Sequence, residues 1–110
     1  MKLYNIYCKY CDNMISDRGY RTIDNIGEIH VTSEFVFLLR ISDIGGVFYA
    51  NSCHCLSRDM ACTNCGNILG YGIVLKCNSE SCSSDYELYT FNIDYIRLEI
   101  FEFQHLIINR

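Results

Sequence analysis

The chain has 110 residues, 50% apolar and 20% charged, which fits one folded domain over residues 1–110 and excludes a disordered chain. Its formal charge is −4, and its six Arg are scattered, which argues against a nucleic-acid binder because phosphate neutralisation supplies most of that affinity. No apolar run reaches the roughly 18 residues of a membrane-crossing helix, and Met1 to Tyr10 hold no signal-peptide core, so the expected location is cytoplasmic, nuclear or both.

Short β-type segments dominate in chain order. Ile29 to Thr32 reads as a strand, and Phe35 to Leu39, rich in branched and aromatic residues, as another. Gly45-Gly46 marks a turn, after which Val47 to Ala50 resumes a strand. Ile73 to Leu75 follows Gly70 and Gly72. Glu87 to Phe91 alternates, with Leu88 and Thr90 on one face and Tyr89 and Phe91 on the other. Near the C-terminus, Ile96, Leu98 and Ile100 alternate with Arg97 and Glu99, which favours a strand over the helical stripe Ile96, Ile100, Phe103, Ile107. The class is mostly β, with no linker and no sequence repeat of 20 residues or more.

Cysteine is the compositional outlier, with eight in the chain. In a reducing compartment such clusters are metal ligands or catalytic groups sooner than disulfides. Cys8 and Cys11 form one C-x-x-C pair, and Cys62 and Cys65 form a second. Two such knuckles supply the four thiolates of a tetrahedral zinc site. The 50 residues between Cys11 and Cys62 are too many for a small finger, so the metal would close a whole sheet. Gly66 follows the second knuckle, where a turn needs positive φ; Asp12 and Asn13 follow the first and tolerate that geometry less well. Lys9 is placed to offset the −2 charge of a zinc tetrathiolate.

Cys53, Cys55, Cys77 and Cys82 make a second set of four. Cys53 and Cys55 share one face of an extended segment. A chain reversal at Cys62–Cys65 would run that segment antiparallel to the strand ending at Cys77, so a second zinc is geometrically open to this set, with buried or surface thiols as the alternative. His54 should face away from its two Cys neighbours, and His30 and His105 have no partner signature; all three read as structural.

The stretch from Gly46 to Tyr71 resembles the "family with sequence similarity seventy-two" proteins. Their pattern, a C-x-C and then D-x-x-C-x-x-C-G-N-[IV]-[ILV]-G-Y before an apolar strand ending in Cys, is met by Cys53, Cys55, Asp59, Cys62, Cys65, Gly66, Asn67, Ile68, Leu69, Gly70, Tyr71 and Cys77. Cys8 and Cys11, followed by Arg18-Gly19, match the family's N-terminal knuckle. Yippee, Mis18, the cereblon thalidomide-binding domain and methionine sulfoxide reductase B share the paired knuckles. The resemblance implies a zinc-pinned β-tent of two antiparallel sheets. It also implies a non-enzymatic adaptor that binds a protein or short peptide, nuclear uracil-DNA glycosylase above all, and so modulates uracil base-excision repair.

The chain has no Trp and so lacks the tri-tryptophan cage of the cereblon domain and the catalytic surroundings of the reductases. Nine Tyr and six Phe suit a peptide-binding face, although most are expected to fill the core of a Trp-free domain. The competing readings are a thiol-based redox enzyme using a cysteine of the second set, and a nucleic-acid-binding zinc protein.

Overall fold

A computed structural model describes residues 2–23, 29–33, 36–49, 55–75, 77 and 89–101. Among these residues eight strands run in chain order: β1 Tyr4–Cys8, β2 Met14–Ile23, β3 Ile29–Ser33, β4 Ile41–Tyr49, β5 Leu56–Cys62, β6 Ile68–Leu75, β7 Tyr89–Asn92 and β8 Ile96–Ile100. All pairings are antiparallel, in the order β4-β5-β6-β7-β3-β2-β1-β8. The mostly β expectation holds, but the two expected sheets are one continuous hydrogen-bonded run. The ten-residue β2 joins them, because its first half pairs β1 and its second half pairs β3.

The order is palindromic. Exchanging β1–β4 with β5–β8 maps the sheet onto itself, with the β3–β7 pair at the centre. Each half is three strands, a short 3-10 turn (Leu38–Arg40 or Ile93–Tyr95) and a fourth strand that pairs with the first strand of the other half. The registers agree: Cys8 faces Ile96, and Cys62 faces Ile41. A separation of 54 positions (62 − 8) superimposes Ile6 on Met60, Cys8 on Cys62 and Ile15 on Leu69, and all six are fully buried. The described strands therefore form an internal structural repeat, which stands beside the absence of a sequence repeat. Beyond the cysteines and the Asn13/Asn67 pair, these positions share burial and not residue identity.

The core is aliphatic and sulfurous: Ile6, Ile15, Val31, Ile41, Met60, Leu69 and Ile96 pack with Cys8, Cys62 and Phe91. Phe91 alone among the described aromatic residues is buried, contrary to the expectation that most rings fill the core. The others are half-buried or exposed: Tyr89 packs against the core, Arg97 covers the Tyr7 ring at 4.2 Å, and Phe48 meets Tyr71 edge-on at 6.3 Å.

Two local readings are overturned. Over its described residues, Val36–Leu39, the Phe35–Leu39 segment is not a strand: Val36 makes a single bridge to Ser16, and Leu38–Arg40 forms the 3-10 turn. Arg40 N–H donates to the Phe37 carbonyl, and Leu39 is 92% exposed. Val36 packs against the core and Phe37 N–H donates to the Ile15 carbonyl, but the pairing with β2 goes no further, because the chain crosses here to β4. Phe35 lies outside the described residues. Gly45-Gly46 is not a turn between strands but a bulge within β4. Four steps along β4, Ile44 to Phe48, oppose two along β5, Asp59 to Ser57. Gly45 takes φ 72°, and its carbonyl accepts from both Arg58 Nε and Nη2 at 3.2 and 3.0 Å.

The other strand readings agree with the structure. β3, β6 and β7 fall where the patterns placed strands, although Ala50, Glu87 and Leu88 lie outside the described residues. β8 is a strand with Ile96 buried and Arg97 and Glu99 exposed; Phe103 and Ile107 lie outside the described residues. β5 and β6 run antiparallel either side of Cys62–Cys65, as the expected reversal requires.

Candidate metal centre

Each knuckle closes a hairpin, β1–β2 or β5–β6, with the same backbone bonds. Cys8 N–H donates to the Asn13 carbonyl at 2.9 Å, and Asp12 N–H to the Cys8 carbonyl at 2.8 Å. In the second knuckle Cys62 N–H donates to Asn67 at 2.9 Å, and Gly66 N–H to Cys62 at 2.7 Å. Both turns need a left-handed residue after the second cysteine. Gly66 supplies it at φ 79° and Asp12 at φ 64°. Asp12 is the only non-glycine residue at positive φ among those described, and Arg97 holds its carboxylate at 2.7 and 2.9 Å.

In a flat sheet β6 and β2, with β7 and β3 between them, would lie about 14 Å apart. Yet Cys8 Sγ lies 3.6 Å from Cys65 Sγ, and Cys11 Sγ lies 3.5 Å from Cys62 Sγ. The sheet must therefore curl until the two hairpin ends face each other. All four Sγ atoms fall within 4.8 Å of one another. A tetrahedral zinc with Zn–S bonds near 2.3 Å has S···S edges of about 3.8 Å, so the donor set and spacing fit that ion. Cys8, Cys11, Cys62 and Cys65 would hold it, and the ion would supply a cross-link and neutralise thiolate charge.

The thiols are inequivalent in the same way in both knuckles. Burial pushes Cys8 up to about 12 and raises Cys62. The outer thiols go the other way because N–H groups donate to them. The Asn67 backbone and side-chain amides bring Cys65 down to about 6, and Cys11 is lowered by the Asn64 side chain and then the Asn13 backbone. Donors of this kind support a tetrathiolate in a half-buried site. These asparagines were missed from the sequence, although Asn follows both knuckles at the same offset. Lys9 Nζ donates to the Asp94 carbonyl at 3.2 Å, docking the knuckle on the second 3-10 turn.

Of the second set, Cys53 and Cys82 lie outside the described residues, as do His54 and His105. Cys55 and Cys77 are brought together, with Sγ atoms 3.5 Å apart. His30 sits half-buried on β3 opposite Asn92.

The crystal structure of a Mis18 "Yippee-like" domain superposes with a TM-score of 0.69, covering 88% of this chain and 95% of that one at 15% identity, a likeness of fold. The family model described as "Yippee homolog 2 zinc finger protein" matches residues 2–97. That span takes in both knuckles and the strands that carry them, and the chain belongs to this zinc finger family.

Proposed function

We propose that the protein is a non-enzymatic adaptor whose zinc is structural, and that it binds a protein or short peptide in the nucleus, the cytoplasm or both. The four-thiol centre carries this reading. With four protein ligands the ion has no open position for water or substrate, which is the arrangement of structural sites and not of catalytic ones. The exposed aromatic residues add support. Tyr10, Tyr49 and Tyr95, with Phe37 and Phe48, are each more than a third exposed, a surface composition enriched where proteins bind one another.

The partner we propose is nuclear uracil-DNA glycosylase, engaged through a short N-terminal peptide, with altered uracil base-excision repair as the consequence. The run Asp59 to Tyr71, with its C-x-x-C-G-N core, supports this choice of partner. Titration of the zinc-loaded chain with that peptide is the direct test. Saturable binding that disappears on metal removal is expected; no binding at any concentration removes this partner. A native protein whose thiols turn over a disulfide or sulfoxide substrate would replace the adaptor reading with a redox enzyme.

A further inference from the structure

Two cysteines outside the metal centre meet each other. Cys55 directly precedes β5, and Cys77 follows β6 by two residues, so they come together at the end of this hairpin opposite its knuckle. Their Sγ atoms lie 3.5 Å apart, in contact and unbonded. Cys55 S–H donates to Cys77 Sγ, and Cys77 N–H donates to Cys55 Sγ at 3.2 Å, so the two sulfurs face one another. A disulfide has an S–S length of about 2.0 Å, which leaves the sulfurs about 1.5 Å to close. Access is unequal: Cys55 is fully buried, whereas Cys77 is half-buried and open to a small molecule. Among the described residues the remaining thiols are the four of the knuckles, which a bound zinc would occupy. In a reducing compartment a disulfide is usually a transient, redox-sensing bond.

We propose that Cys55 and Cys77 are a reversible thiol–disulfide pair, a modification site whose oxidant is a low-molecular-weight disulfide such as oxidised glutathione. Cys77 gives up its proton, and its sulfur attacks one sulfur of the small disulfide. That S–S bond breaks, and one glutathione leaves as a thiolate that takes up a proton. Cys55, losing its proton in turn, attacks the Cys77 sulfur of the mixed disulfide and releases the second glutathione. The pair loses two electrons and two protons, and the small disulfide becomes two thiols. The new bond closes the open end of the β5–β6 hairpin, whose other end the knuckle already closes. Leu56, next to Cys55, pairs with Tyr49 of β4 and Leu75 of β6, both exposed, so oxidation fastens these strands where apolar side chains face solvent. The internal repeat does not supply the pair twice, because the positions 54 residues before Cys55 and Cys77 are Met1 and Ile23. The step is stoichiometric and stops when the pair is oxidised. It is independent of the adaptor reading, since it names no protein partner.

The test equilibrates the zinc-loaded full chain with mixtures of oxidised and reduced glutathione, and follows it by intact mass and differential alkylation. A loss of two hydrogens is expected, mapped to a Cys55–Cys77 bond and reversed by dithiothreitol. Zinc should be retained, with Cys8, Cys11, Cys62 and Cys65 still protected. Cys55→Ser should stop at the mixed disulfide, with one glutathionyl group on Cys77, and Cys77→Ser should lose the two-hydrogen change altogether. Should either variant fail to fold, the wild-type mass and map decide alone. No two-hydrogen loss at any glutathione ratio overturns the proposal, whether the two thiols stay freely alkylated or are shielded by a second metal ion. A bond that joins either cysteine to Cys53 or Cys82 overturns it too, as does oxidation that takes the knuckle thiols first.

Discussion

The two knuckles are the same device set in different surroundings. Cys8-Lys9-Tyr10-Cys11-Asp12-Asn13 and Cys62-Thr63-Asn64-Cys65-Gly66-Asn67 share the cysteines and the final asparagine, and differ at the other three positions. The shared residues meet the demands of the metal: four thiols, matching backbone bonds and N–H donors to the outer sulfurs. The differing residues attach each knuckle to its neighbours. Lys9 reaches the Asp94 carbonyl, Tyr10 packs on Tyr95 with ring centroids 6.3 Å apart, and Asp12 pairs with Arg97, so the first knuckle is strapped to the C-terminal turn and β8. In the second, Asn64 turns toward the metal centre and supports Cys11 across the cleft. The geometry at the ion is conserved between halves while the periphery has diverged, which places the structural constraint on the metal.

Removing a thiol from either knuckle should break both halves equally. Structural zinc contributes on the order of 10 kcal/mol to folding in small zinc domains. That is as large as the whole stability of an ordinary domain, so Cys8→Ser and Cys62→Ser should each lose the ion and the cooperative thermal transition. A folded, zinc-free Cys62→Ser protein would overturn the structural role.

Acidification acts next, and its direction follows from the inner thiols. Cys8, pushed up to about 12, and Cys62, also raised, hold protons near neutral pH that zinc must displace. Falling pH therefore lowers affinity. With at least these two protons released, the apparent constant should change by about a hundredfold or more per pH unit around pH 7 to 8. Competition with a colorimetric chelator across that range measures the slope, and a flat profile would show that both inner thiols are already ionised.

The left-handed positions separate the knuckles more finely. Gly66→Ala forces a Cβ into φ 79° and should cost about 1–2 kcal/mol by thermal melting. Gly66→Asp, copying the first knuckle, should cost less, since Asp tolerates this region better than Ala. Equal losses would mean that local backbone preference does not set the turn.

The smallest effect is expected at the strap. Asp12–Arg97 is a surface pair with side chains 69% and 44% exposed, so Arg97→Ala should lower Tm slightly. Raising salt should weaken the Asp12 pairing in the wild type but leave the Arg97 cover of Tyr7 in place. A wild-type Tm insensitive to salt would assign the residue's role to the ring alone.

The metal centre was the most legible part of the sequence, because C-x-x-C spacing reports a geometric requirement directly. Strands β3, β6, β7 and β8 were legible where branched and aromatic residues alternate. β1, β2 and β5 were not. In β5, Ser57 is buried and Met60, Ala61 and Cys62 are buried in succession, so no period of two emerges from a strand that bends toward the metal. In β2 the polar Asp17-Arg18-Gly19 interrupts the pattern where the strand passes from one partner to the other. Val36–Leu39 failed in the opposite way, since high β propensity there meets β2 only at one bridge before the chain turns at Leu38–Arg40. The internal repeat was hidden because Ile6/Met60 and Ile15/Leu69 are equivalent only in burial.

The exchange of fourth strands sets an order of events during synthesis. β1 pairs with β8, matching Tyr4 with Ile100, so β1 waits for a strand made about 90 residues later. An emerging N-terminal half presents the unpaired outer edge of β1 and only two of the four metal thiols. Neither the pairing nor the ion can reward the ordering of that half by itself, and loops this long close at an entropic cost that slows folding. The domain should therefore fold as one late, metal-coupled event once Ile100 has left the ribosome, and a chain truncated before β8 would expose β1 as a site for pairing with other chains.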